Sequence, residues 1–254
     1  MKKCAKVLHF FELTKYFGKK VKYKAIFIDI DDTLLDYIPC CREAFDVALR
    51  SIIPHQSSIT NEDQLFELFF SISGRLFSEA KRGLHTVAEV MDLYPIEFIE
   101  RAGFPAEAVE PFKQSFRAAW GETHTLVPCA KEVLEALKNK GYRLFAASNS
   151  FGHLQRSRLA HAGLLSYFED TYISMDIGYD KPDVRFYQEA LHRAGLRPDE
   201  VLMVGDSMTT DIIGARAAGL NTCFFVRRQE DTPQEFVADF VIYSLPELLN
   251  YLEV

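Results

Sequence analysis

The sequence predicts an α/β protein, a doubly wound parallel sheet with an all-helical domain inserted after its first strand. Three observations carry this expectation. A four-residue apolar run, residues 25–28, ends abruptly in Asp29-Ile30-Asp31-Asp32-Thr33, as a buried strand does when it opens into a polar loop. Residues 42–120 then show helical periodicity throughout. After Pro128, strand and helix patterns alternate to the end of the chain, which implies a parallel sheet with helices on both faces.

Residues 1–24 carry Lys2 and Lys3, and His9, Glu12 and Lys15 interrupt their apolar positions, so no uninterrupted signal-peptide core forms. This stretch is read as an N-terminal extension, an amphipathic lead-in helix or a partly ordered segment. In the helical insertion, Leu65, Phe66, Phe69, Phe70, Ile72 and Phe77 make one apolar stripe suited to packing between helices. Helices are expected over 130–140, 154–162, 183–194 and 210–218, and strands over 143–147, 172–175, 201–204, 222–226 and 240–242. Ser244-Leu245-Pro246-Glu247 has capping-box spacing and should start a last helix. The expected domains are the extension at 1–24, a core made of 25–38 and 125–254, and a helical cap at 39–124.

With 254 residues, 48% of them hydrophobic, the chain can bury one large core or a core and an insertion. Its formal net charge of -7 supplies no general positive field, which argues against a nucleic-acid polymer or an anionic membrane as partner. Nothing approaches the roughly eighteen unbroken apolar residues of a membrane helix. An anionic substrate would need a local cation. The five cysteines are odd in number and lack C-x-x-C spacing, as expected of reduced thiols in a cytoplasmic protein. The histidines at 55, 85, 124, 153, 161 and 192 show no ligand spacing.

In an open parallel sheet, ligands bind at the carboxyl ends of strands, near the point where strand order reverses. The polar residues of interest fall at four such ends: Asp29 and Asp31, then Ser148 and Asn149, then Lys181, then Gly205, Asp206 and Asp211. Alone, a D-x-D pair is a turn or cap device, Ser-Asn is a loop and Lys-Pro is a surface turn. The spacing of Gly214 and Gly219 lacks a following Gly-Lys-Ser/Thr and reads as small residues packing a helix onto the sheet. The order and placement of the whole set carry the meaning.

That set resembles the haloacid dehalogenase superfamily. Phe27-Ile28-Asp29-Ile30-Asp31-Asp32-Thr33-Leu34-Leu35-Asp36 looks like its first motif and Ser148-Asn149 its second. Lys181-Pro182 looks like its third, and Gly205-Asp206-Ser207 with Asp211 its fourth. The resemblance covers the chain from about residue 24 and implies a Rossmann-like core with a helical cap. It implies Mg2+ held by the side chains of Asp29 and Asp206 and the main-chain carbonyl of Asp31, with Asp211 beyond them or reaching the ion through water. Asp29 would be the nucleophile, forming an acyl phosphate. Asp31 would protonate the leaving oxygen and then take a proton from water, which requires nearby negative charge or burial because an unperturbed Asp has a pKa near ~3.9. Ser148, the Asn149 N–H and Lys181 would hold the phosphoryl oxygens, and Thr33 would order the loop. True dehalogenases lack an acid at the position of Asp31, so phosphate ester hydrolysis is favoured over carbon–halogen cleavage.

Specificity should reside in the cap, where Lys81, Arg82 and Gly83 break the helical pattern as a substrate-facing turn or an ordinary interhelical loop. Residues 179–184, 201–206 and 218–223 are most similar to the pyrimidine 5'-nucleotidase-like branch, although Ser150 and Cys129 stand where relatives often have Gly. The expected partner is a small phosphorylated metabolite, and the expected assembly a monomer or homodimer. A sugar phosphatase or a β-phosphoglucomutase-like phosphomutase is the alternative within the family. From another class, a receiver-like or non-catalytic phosphate-binding module has the same kinds of residues, but a receiver has no cap and about half this length.

Overall fold

A computed structural model describes residues 23–52, 61–227 and 237–252. The expected N-terminal extension, apart from its last two residues, lies outside the described residues, as do Cys4 and His55. The chain forms two compact units. One holds the described residues up to Asp36 together with Thr125–Gly152 and the chain from Ala162 onward; the other holds Tyr37–His124 and His153–His161.

Among the described residues the first unit is built on six strands: β1 (Ala25–Ile28), β2 (Arg143–Ser148), β3 (Asp170–Ile173), β4 (Val201–Gly205), β5 (Asn221–Phe225) and β6 (Phe240–Ile242). Their order is β3-β2-β1-β4-β5-β6, and every pairing is parallel. The chain moves outward from β1 through β2 to β3, then returns to β4 on the other side of β1. The strand order therefore reverses between β1 and β4, where Ile28 pairs with Val204. All four residues of β1 are buried, as the central strand of a sheet covered on both faces requires.

Helices α1 (Tyr37–Ile52), α2 (Glu62–Lys81), α3 (Val87–Ala102), α4 (Val109–Trp120), α5 (Ala130–Asn139), α6 (Gly152–His161) and α7 (Val184–Ala194) complete the longer elements. Tyr187, Ala190, Leu191 and Ala194 recur at helical spacing along α7 and pack with Ala25, Phe27, Phe145, Tyr172 and Met203 against one sheet face. Helix α5 lies against β2.

Three elements depart from the sequence expectation. Strand β3 ends at Ile173 because its partner β2 ends at Ser148, and Ser174–Ile177 forms a helical turn instead. The helix expected over 210–218 is a π-helical turn, Met208–Ile213, followed by a short helix, Gly214–Ala217. The Ser244 hydroxyl donates to the Glu247 carboxylate at 2.7 Å and accepts from no main-chain N–H of the following turn, so the capping box is not completed.

The second unit is held by aromatic packing. Phe69 of α2 lies 5.1 Å, ring centre to ring centre, from Phe45 of α1 and 5.5 Å from Phe98 of α3, and Phe98 lies 4.9 Å from Phe112 of α4. Leu65, Phe69 and Ile72 are the fully buried members of the expected stripe, while Phe66, Phe70 and Phe77 are half-buried. Helix α6 groups here because Arg158 is buried in this unit. Its guanidinium stacks 3.9 Å from the centre of the Trp120 ring, Nε donates to Thr123 O at 3.2 Å, and Nη1 donates to Gln155 at 2.8 Å. The expected turn at Lys81, Arg82 and Gly83 is the exposed end of α2, with Gly83 at φ +78°.

Among the described residues no helix is long and apolar enough to cross a membrane. Cys40, Cys41 and Cys223 are buried free thiols.

Candidate active site

The loop after β1 is folded tightly on itself. Ile30 O accepts from Leu34 N at 2.8 Å and from Leu35 N at 2.9 Å, Asp32 N donates to Leu35 O at 2.7 Å, and Asp32 takes a left-handed φ of 58°. The turn leaves Asp29 at the end of the strand ladder, its N–H donating to Val204 O at 2.9 Å. Thr33 is buried, and its hydroxyl reaches 3.5 Å toward Asp206 Oδ1. Asp31 is half-buried and its backbone bridges to Leu35.

Lys181 is the electrostatic centre. Its Nζ donates to Asp211 Oδ1 at 2.6 Å, Asp29 Oδ1 at 2.7 Å and Ala147 O at 2.8 Å, which uses all three ammonium donors. An ammonium buried to 2% exposure is tolerable only when paired in this way. Burial alone would push its pKa down, but Asp211 and Asp29 outweigh burial and hold it above its ordinary value. Burial pushes the Asp29 carboxyl up to about 7, against the pull of Lys181, with Asp211 and Asp31 adding to the rise. A divalent cation beside Asp29 would act in the opposite sense, stabilising the carboxylate.

The segments carrying these groups are locked to one another. Asn149 Oδ1 accepts from Lys181 N at 2.7 Å, and Asn149 Nδ2 donates to Lys181 O at 2.8 Å. Asp211 Oδ2 accepts from Ser207 N at 3.0 Å, so both oxygens of Asp211 are engaged. Gly205 is required by this arrangement, because a Cβ there would fall 2.3 Å from Asp211 Oδ2. Gly214 sits against Pro182, where a Cβ would meet Pro182 Cα at 2.8 Å. Gly214 opens the short helix that lies against β5, and its nearest neighbour is the Lys181-Pro182 segment.

Asp29, Asp206 and Asp211 each offer an oxygen within 4.8 Å of the others, a hard-oxygen set that fits Mg2+. The Asp31 carboxylate lies outside this group, and the commitments of Asp211 to Lys181 and Ser207 leave Asp29 and Asp206 the better placed side-chain ligands. Ser148 is buried at the end of β2 and adjoins Asn149. Lys81, Arg82 and Gly83 belong to the helical unit. Sequence reasoning missed the Asn149 side chain as a clamp and Asp211 as the direct partner of Lys181. A buried Lys must find carboxylates, and that rule alone would have pointed to Asp211.

The chain matches the haloacid dehalogenase-like hydrolase family over residues 23–219. It is 27% identical to the HAD-hydrolase YfnB of Bacillus subtilis over 234 residues, 92% of this chain and 97% of that protein. A magnesium-bound crystal form of YfnB superposes with a TM-score of 0.83 at 25% identity, covering 92% of this chain and all of that one. The pyrimidine 5'-nucleotidase YjjG of Escherichia coli is 30% identical over 236 residues, 91% of this chain and 99% of that protein. A glyceraldehyde 3-phosphate phosphatase of Methanothermobacter thermautotrophicus is 29% identical over 204 residues, 78% of this chain and 83% of that protein. With a parallel sheet of matching fold, an acid cluster at its switch point and a family match across most of its length, this chain belongs to the haloacid dehalogenase-like hydrolases.

Proposed function

We propose that this hydrolase is a magnesium-dependent 5'-nucleotidase that cleaves pyrimidine nucleoside monophosphates through an aspartyl phosphate on Asp29. The coarser activity, hydrolysis of phosphoric monoesters, follows from its family and from relatives that are phosphatases. The observation that carries the mechanism is the Lys181 ammonium bound to both Asp29 and Asp211 beside Asp206.

Asp29 and Asp206 would hold the ion, with the Asp31 carbonyl as the family resemblance implies. When bound, the ion offsets the charge of the phosphoryl oxygens that a carboxylate must approach. Lys181 fixes Asp29 through Oδ1, so the other carboxylate oxygen attacks phosphorus. The bond from phosphorus to the leaving oxygen breaks as Asp31 gives that oxygen its proton, and the alcohol departs. Asp31 then takes a proton from water, which attacks phosphorus. The bond to Asp29 breaks, phosphate is released, and both acids return to their starting states. Ser148 and the Asn149 N–H donate to the phosphoryl oxygens as charge develops. The nucleotide preference rests on the similarity to YjjG, and the archaeal relative makes a triose phosphate the competing substrate.

Phosphate release measured with and without Mg2+ over pyrimidine and purine nucleoside monophosphates, hexose phosphates and triose phosphates tests the reading. The highest kcat/KM is expected on a pyrimidine nucleoside monophosphate, with no turnover in EDTA or in a folded Asp29→Asn variant. Undiminished release by Asp29→Asn would refute the nucleophile, and a preference for triose phosphates would replace the substrate.

A further inference from the structure

We propose that Tyr187 is a positioning residue for this reaction, anchoring the π-helical turn Met208–Ile213 so that Asp211 stays against Lys181. The inference rests on the role given above to Asp29 and Lys181. Tyr187 is fully buried on α7, and its hydroxyl donates to the main-chain carbonyl of Thr210, the residue before Asp211.

The need for that donor follows from the turn itself. In an α-helix, Thr210 O would accept from the N–H four residues on, that of Gly214. Here Gly214 N donates to Thr209 O instead, the wider bonding of a π turn. Thr210 is 6% exposed, so its carbonyl, which does not receive the Gly214 N–H, gains from a further donor. The Tyr187 phenol supplies it. Burial and the carboxylates of Asp211 and Asp29 raise the phenol well above its ordinary pKa, so it remains a neutral donor.

The geometry links the two partners of the central ion pair through one helix. Helix α7 starts at Val184, three positions after Lys181, and one turn later Tyr187 holds the segment that carries Asp211. The contact of Gly214 with Pro182 ties the same two segments from the far side of the turn. Asp211, carried on this turn, accepts from both Lys181 Nζ and Ser207 N. Tyr187 acts only through Asp211 in this arrangement.

Tyr187→Phe removes the hydroxyl and keeps the ring that packs with Phe186. It is expected to lower kcat about three- to tenfold, the worth of one hydrogen bond, with KM changed by less than about twofold. In an Asp211→Asn background the same substitution should change kcat by less than about twofold, because the two act in series. Amide hydrogen exchange of residues 207–214 should accelerate in the full-length Tyr187→Phe protein, with the remaining sheet unchanged. Equal kcat losses in both backgrounds, or unaltered exchange of 207–214, would overturn the proposal. Absence of phosphate release by the wild-type protein would instead sink the reaction assigned to the site, and hydrogen exchange would still decide whether Tyr187 anchors the turn.

Discussion

Asn149 and Lys181 form a closed ring of two hydrogen bonds, the Asn149 side chain pairing with both main-chain groups of Lys181 at 2.7 and 2.8 Å. Lys181 has to place one ammonium among three acceptors, and its own loop has no regular ladder to fix it. The ring does that. Asn149→Ala should lower kcat about tenfold or more and reduce stability by about 1–3 kcal/mol, because two part-buried main-chain groups lose their partners. Steady-state kinetics and thermal melts check both. A variant with wild-type kcat and a lowered Tm would confine Asn149 to a structural role.

The acids of the site were legible in the sequence because they follow apolar strand runs, and a strand end in a parallel sheet is a place the chain cannot help displaying. The Asn149 clamp was not legible, because it joins loops 32 residues apart through a side chain whose local pattern is that of a turn. Nor was the π turn: Met208 to Ile213 continues a helical pattern of apolar residues, and the phenol that meets its Thr210 carbonyl lies on α7, 23 positions earlier in the chain. The place of Arg158 was not legible either. A charged residue in a polar helix reads as a surface position, but in the fold it stacks on Trp120 and draws α6 into the helical unit.

Gly205 marks how little space the site leaves between β4 and Asp211. A methyl group there would sit 2.3 Å from Asp211 Oδ2 and 2.4 Å from its Cγ, so Gly205→Ala must push the carboxylate away. Displacing a group by about an ångström costs on the order of a hundredfold in rate, and overpacking costs about 1–3 kcal/mol of stability. Kinetics and urea denaturation of Gly205→Ala measure the two losses. Near-wild-type kcat would mean that Asp211 is not needed where the structure puts it.

The helical unit should be most sensitive at Phe69, whose ring lies within 5.1 to 5.8 Å of the rings of Phe45, Tyr94, Phe98, Phe112 and Phe116. Phe69→Ala is expected to cost about 3–5 kcal/mol, the transfer loss plus an unfilled cavity. Phe66→Ala, from a half-buried position on the same helix, should cost less. Chemical denaturation of both variants gives the comparison. Equal costs would mean that the buried cluster does not hold this unit together.

Burial sets a pH dependence that the metal should reverse. In the folded, metal-free chain the Asp29 carboxyl is pushed up to about 7, whereas an unfolded aspartate titrates near ~3.9. Between those values the folded state binds more protons than the unfolded one, so Asp29 makes stability fall as pH rises across the window and adds no further slope above it. Asparagine at position 29 has no such proton to lose. Thermal melts in EDTA from pH 5 to pH 8 should therefore show a steeper decline for the wild type than for Asp29→Asn. Saturating Mg2+ should raise the wild-type Tm more at pH 8 than at pH 5, because ion and proton compete for the same carboxylate, and should raise that of Asp29→Asn less at either pH. Parallel curves for the two proteins, with and without the ion, would show that Asp29 neither carries the shifted proton nor binds the metal.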